Sequence, residues 1–101
     1  MNKISIIIPC YNEEKTILSV INEIEDFKDF EKEILVIDDG SSDNTKNLLK
    51  DLSKEHIKVF YHDRNYGKGK AIQTGIREST GDIIIIQDAD LEYSPTDYPT
   101  L

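Results

Sequence analysis

The sequence has little that would staple the chain, span a membrane or grip a polyanion. It holds one cysteine, Cys10, in 101 residues, so no internal disulfide can form and the usage fits a reducing compartment. No apolar run approaches the roughly 18 residues that a membrane-spanning helix needs. The start, Met1 to Ile4, enters a strand-like stretch without the apolar core of a signal peptide. Lys and Arg together number 12 against 20 Asp and Glu, a formal net charge of -8. That balance argues against nucleic acid or an anionic membrane surface as a general partner. It also means that a phosphate-bearing ligand needs a cation or a local run of donors to enter. The two histidines, His56 and His62, are too far apart in sequence to propose as a ligand pair. The phosphate-binding pattern G-x-x-x-x-G-K-[ST] is absent, and Gly67-x-Gly69 is neither completed by a third glycine nor placed after the first strand. Repeats, low-complexity tracts and linkers are missing too, so one cytoplasmic domain with a modest core is expected.

What is present is a regular alternation. Ile4-Ser-Ile-Ile-Ile-Pro9 reads as a first strand, ended by Pro9, which cannot donate to a ladder. Asn12 is a good helix cap with Glu13 and Glu14 at the positive end of the dipole, and Ile17, Val20, Ile21, Ile24 and Phe27 recur at helical spacing. Phe30 to Glu33 reads as a charged connector, and Ile34-Leu-Val-Ile37 as a second strand. A turn from Asp38 to Asp43 follows, with Ser42 or Asp43 capping a second helix whose stripe is Leu48, Leu49 and Leu52. Ile57 to Tyr61 is a third strand. Gly69 to about Ser79 is a third helix, packing through Ala71, Ile72, Gly75 and Ile76 and closed by Gly81. Four isoleucines, Ile83 to Ile86, then form a strand expected to be buried on both faces. The order βαβαβαβ predicts an α/β fold with a parallel sheet and helices on both faces. The tail from Glu92 to Leu101 has turn chemistry and no closing element, so the chain reads as the first part of a larger fold, with an open sheet edge that could drive self-association into a homo-oligomer.

The unusual polar residues all follow strands, and the C-terminal edge of an open parallel sheet is where ligands bind. Tyr11, Asn12 and Glu13 follow the first strand, Asp38 and Asp39 the second, Asn65, Gly67 and Lys68 the third, Asp88 and Asp90 the fourth. A tyrosine there can cover a base or ribose. Asp39 can accept from a base N–H or a ribose hydroxyl. Lys68 between two glycines can meet a phosphate. Asp88 and Asp90, one residue apart, repel each other unless a cation lies between them, and hard oxygen ligands suit Mg²⁺ or Mn²⁺. Each group also has a plain reading as packing aromatic, turn acid or solvated lysine; four loops converging on one rim favour a pocket.

Taken as blocks, these residues resemble family 2 glycosyltransferases. Pro9-Cys-Tyr11-Asn12-Glu13 is similar to their P-x-Y-N-E opening, and Val36 to Thr45 to their second-strand motif. Asn65 to Ala71, with Gly75 and Gly81-Asp82, is similar to their third helix and its flanks. Asp88-Ala-Asp90-Leu-Glu92 is similar to their D-x-D metal motif, and the run to Pro95 is closest to polyprenyl-phosphate (dolichol-phosphate) hexose synthases. The resemblance implies the nucleotide-sugar-binding half of a GT-A fold. It places Pro9, Tyr11 and Glu13 on the nucleoside, Asp39 and Asp38 on the base, and Lys68 near ribose or phosphate. Asp88 and Asp90 flank the diphosphate and its Mg²⁺ or Mn²⁺, Asp90 being the residue nearest the chemistry. Glu92 stands where Gln is frequent and can also touch the metal. The activity implied is transfer of a hexose from a UDP or GDP sugar to a polyprenyl phosphate or a glycan, with inversion; the alternative is a nucleotide-binding piece that is inactive without its acceptor half. A haloacid-dehalogenase phosphatase fits less well, because its D-x-D follows the first strand. A receiver domain needs its acidic pair where this chain has Tyr11-Asn12-Glu13.

Overall fold

A computed structural model describes residues 2–52 and 56–90. Four strands, β1 (Lys3–Cys10), β2 (Glu31–Asp38), β3 (Ile57–Tyr61) and β4 (Ile83–Ile86), alternate with helices α1 (Ile17–Asp26), α2 (Thr45–Leu49) and α3 (Lys68–Glu78). All pairings are parallel, in the order β3-β2-β1-β4. The predicted α/β class and element order therefore stand. Side chains alternate between the faces of each strand, so each face takes its own helices. Ile6, Ile8, Ile34, Val36 and Ile57 pack with Ile17, Val20, Ile21 and Ile24 of α1 and Leu49 of α2. Ile7, Leu35 and Ile37 pack with Ala71 of α3 on the other face. The chain steps outward from β1 to β3, then returns across the sheet to β4. That reversal puts α3 opposite α1 and α2, and it opens a crevice between the ends of β1 and β4. Gly75 lets α3 close on β1, since a Cβ there would lie 2.5 Å from Ile7 Cγ2.

Several boundaries differ from expectation for physical reasons. Pro9 lies inside β1, opposite Ile37. Ile7 O accepts from Gln87 N, so residues of that parity face β4; Pro9 shares it but lies past the last β4 pair, so no ladder bond is lost. α1 begins at Ile17, not after Asn12, because Asn12 has φ 54° and its side chain reaches across to the β2–α2 turn. Among the described residues β4 is an edge strand, with Ile83, Ile84 and Ile86 each 40–44% exposed rather than buried on both faces. Ile76 also faces outward, and the buried residues of α3 are Ala71, Thr74 and Gly75. Gly81 is no helix cap; its N–H donates to Ser5 Oγ.

The charged connector is the largest departure: β2 already includes Glu31, Lys32 and Glu33. Glu33 is 1% exposed and fully engaged. It accepts from Ser5 Oγ at 2.6 Å, Thr80 N at 2.6 Å and Lys58 Nζ at 3.3 Å. Burial opposes its ionisation, but these hydrogen bonds outweigh burial and hold its carboxyl at about 2, below the ordinary 4.5. A depressed carboxyl contributes stability that is complete above the unfolded-state value and is lost as pH falls toward the folded one. The chain should therefore lose about 3 kcal/mol of this contribution between roughly pH 5 and pH 2. Urea melts across that range should show the slope in the native chain and a flatter one in Glu33→Gln. An equal slope in both would assign the acid sensitivity elsewhere.

Candidate functional site

At the crevice between β1 and β4 lies a cavity of about 510 Å³. It is in the size range of small-ligand sites. Pro9, Cys10, Tyr11 and Glu13 line it from the end of β1, Asp39 from the end of β2, and Asn65, Gly67, Lys68 and Ala71 from the start of α3 and the loop before it. Asp88, Ala89 and Asp90 close it from the end of β4. The structure thus brings together seven of the nine expected residues: Pro9, Tyr11, Glu13, Asp39, Lys68, Asp88 and Asp90. Asp38 is different. It is fully buried and turned into its own turn, where Ser41 Oγ and Ser41 N both donate to it, and it does not line the cavity. Glu92 lies outside the described residues.

The rim is tied together by polar side chains. Asn12 Oδ1 accepts from Ser42 N at 2.8 Å and Asp43 N at 3.2 Å, fastening the β1 loop to the β2 loop. Glu13 N donates to Thr45 Oγ1 at 3.0 Å. Thr16 Oγ1 donates to Ala89 O at 2.8 Å, which joins α1 to the acidic segment after β4. Asp39 is 3% exposed and holds the loop before α3: its Oδ1 accepts from Tyr66 N at 3.0 Å and its Oδ2 from Gly67 N at 2.8 Å. His62 and Thr74 complete that arrangement, and sequence patterning gave neither a role. The signal available was position, since His62 stands one residue past β3 on the same rim.

The cavity is acidic on three sides, with Glu13, Asp39, Asp88 and Asp90 facing one lysine in its lining. Lys68 Nζ donates to Asp88 Oδ1 at 2.5 Å. That hydrogen bond holds the Lys68 ammonium above its ordinary pKa, against a smaller lowering by desolvation, and the charges of Asp88 and Asp90 add to it. Burial pushes the Cys10 thiol up to about 12, with Asp38, Glu13 and Asp43 adding, so it is a packing group and not a nucleophile. Among the described residues no three His, Cys, Asp or Glu side chains converge as a metal cage. Two carboxylates on one rim do fit an ion such as Mg²⁺, which keeps waters and shares its shell with ligand phosphates.

A parallel sheet with an acidic, lysine-bearing crevice at its switch point has the form of a ligand-binding α/β domain. Its likeness to solved structures fixes the kind. A mannosyltransferase from Pyrobaculum calidifontis, solved with GDP-Man and Mn²⁺, superposes with a TM-score of 0.79 at 28% identity, over 88% of this chain and 28% of that one. Glucosyl-3-phosphoglycerate synthase from Mycobacterium tuberculosis, solved with Mn²⁺, UDP and glucosyl-3-phosphoglycerate, gives 0.78 at 30% identity, over 97% of this chain and 37% of that one. The fold is that of GT-A glycosyltransferases. The chain belongs to glycosyl transferase family 2, whose model matches residues 5–101. Undecaprenyl-phosphate 4-deoxy-4-formamido-L-arabinose transferase of Proteus mirabilis is 36% identical across the whole chain, which spans 33% of that relative's length. No helix among the described residues is long and apolar enough to cross a membrane.

Proposed function

We propose that this chain is the donor-binding part of an enzyme that moves a hexose from a nucleoside diphosphate sugar to a polyprenyl phosphate, with inversion at the anomeric carbon. The observation that carries this is the convergence of Tyr11, Asp39, Lys68, Asp88 and Asp90 on one cavity from four separate stretches of chain. In this reading Pro9, Tyr11 and Glu13 border the nucleoside and Asp39 receives a base N–H. Lys68 leaves Asp88 for a phosphate oxygen. Asp88 and Asp90 hold Mg²⁺ or Mn²⁺, which supplies Lewis-acid stabilisation of the departing diphosphate. The acidity of the cavity supports this assignment, because a diphosphate could not approach four carboxylates without a cation. Support for the acceptor comes from the Proteus mirabilis relative, named for undecaprenyl phosphate. A polyprenyl phosphate is anionic already, so its oxygen needs no strong base to attack. The chain spans 33% of that relative's length, which supports a reading in which acceptor binding needs residues beyond these, so that the chain alone should bind nucleotide without turnover.

The test is an amide-shift titration of the 101-residue chain with UDP and with GDP, each with and without Mg²⁺. Shifts should centre on Tyr11 to Glu13, Asp39 to Gly40, Gly67 to Gly69 and Asp88 to Asp90, and should be larger with the metal. A folded chain whose amides ignore both nucleotides would end the proposal.

A further inference from the structure

Asp39 accepts three hydrogen bonds at the edge of the cavity, and the way it is engaged limits what it can still accept. A carboxylate offers about four lone-pair positions, two on each oxygen. Oδ1 takes Tyr66 N at 3.0 Å and His62 Nδ1 at 2.8 Å. Oδ2 takes Gly67 N at 2.8 Å. Among the described residues, one position is left, on Oδ2. The backbone donors are set by the loop, but the third donor is a side chain, and it is deliberately held. His62 Nε2 lies 2.9 Å from Thr74 Oγ1 on α3, and the imidazole meets the Tyr66 ring edge-on at 5.5 Å. A carboxylate can only accept, so Nδ1 carries the proton toward Asp39. The ring is largely buried, with its side chain 13% exposed, and it does not line the cavity itself.

We propose that His62 is a specificity-determining residue: by filling Oδ1 of Asp39 it leaves a single acceptor for the base and selects a uracil-type nucleotide over a guanine one. The inference rests on the reading of Asp39 as the base-facing acid. Uracil presents one edge N–H, at its imide nitrogen, and one free position on Oδ2 satisfies it. Guanine presents two adjacent donors, the ring N–H and the amino group, which pair with a carboxylate through both oxygens. With Oδ1 already full, the second guanine donor would be buried unpaired, and a buried donor without a partner is strongly disfavoured. His62 acts through Asp39 and does not touch the base.

The experiment compares UDP and GDP affinities, with Mg²⁺ present, for the native chain, His62→Asn and His62→Leu. The native chain should prefer UDP by about tenfold or more, the worth of one hydrogen bond to a charged group. Asparagine can offer its amide N–H where Nδ1 stood, so His62→Asn should keep most of the preference. His62→Leu removes the donor at similar bulk, frees Oδ1, and should bring the two affinities within about threefold. General loosening of the site would weaken both nucleotides alike and leave their ratio unmoved, so the ratio separates specificity from structure. Should His62→Leu fail to fold, Thr74→Val releases the imidazole from its far side and should move the ratio the same way. An unchanged ratio in folded His62→Leu, or in folded Thr74→Val where that stands in for it, overturns the inference but leaves nucleotide binding intact, as does a native chain indifferent to the base. Absence of binding to either nucleotide by the folded native chain overturns both.

Discussion

Replacing Gly40 with alanine should cost the chain about 3 kcal/mol and lower its melting temperature by more than about 10 °C. Gly40 has φ +73°, a region that costs an L-residue roughly 1–2 kcal/mol. More costly is what the new methyl would meet. A Cβ at Gly40 would lie 2.4 Å from Arg64 C, 2.6 Å from Asn65 N and 2.8 Å from Arg64 Cα. These are backbone atoms, so no rotamer change relieves the clash and the whole loop before α3 has to move. That loop supplies Asn65 to the cavity and the two N–H groups that hold Asp39. The variant should accordingly lose nucleotide binding together with stability. Thermal melting followed by circular dichroism is the check, and a variant melting within about 2 °C of the native chain would mean that the turn tolerates the displacement.

The second large effect belongs to Asp88. Asp88→Ala should abolish the metal dependence of UDP binding, a loss of about a hundredfold in the presence of Mg²⁺. One of the two carboxylates proposed to hold the metal is gone, and Asp90 as the one remaining carboxylate of that pair should not hold the ion in a rim so open to water. The substitution has a second consequence that gives the test a distinctive shape. Lys68, whose ammonium is bonded to Asp88 at 2.5 Å, is set free to meet the diphosphate directly, in a cavity with one negative charge fewer. UDP affinity without metal should therefore rise slightly while affinity with metal collapses, and the two should meet. Uridine, which has no diphosphate, should bind native chain and variant alike. Calorimetry with UDP and uridine, with and without Mg²⁺, decides the matter; equal losses for both ligands would show that Asp88 supports the cavity wall instead.

Much of this was legible in the residues, and the exceptions share a cause. Strands came through where β-branched runs are continuous, as at Ile34 to Ile37. α1 came through where its stripe is strict, at Ile17, Val20, Ile21 and Ile24. What local patterning misses is a polar side chain whose partner is distant in sequence. Glu33 reads as a solvated charge until Ser5 and Thr80 are found beside it. Asn12 reads as a helix cap until the Ser42 and Asp43 amides claim it. Asp38 and Asp39 are indistinguishable as neighbours in a turn, yet Ser41 takes one and the α3 loop the other. His62 carries no motif; only the fold brings Asp39 and Thr74 to its two nitrogens. The isoleucines of β4 fail in the opposite sense. Their hydrophobicity fixes the strand but says nothing of its place in the order, and at the edge the same residues stay uncovered.

That edge has a mechanical meaning for the site. β4 is four residues long and among the described residues is held by one neighbour, β1, yet it is the strand that delivers Asp88 and Asp90. The end of the cavity that bears Tyr11 and Asp39 is anchored in the interior strands β1 and β2, while the end proposed to hold the ion hangs from the least supported one. Any surface that clamps onto Ile83, Ile84 and Ile86 would set the spacing of the two carboxylates from outside, so that the grip on a divalent ion becomes a gauge of whether that outer edge is engaged.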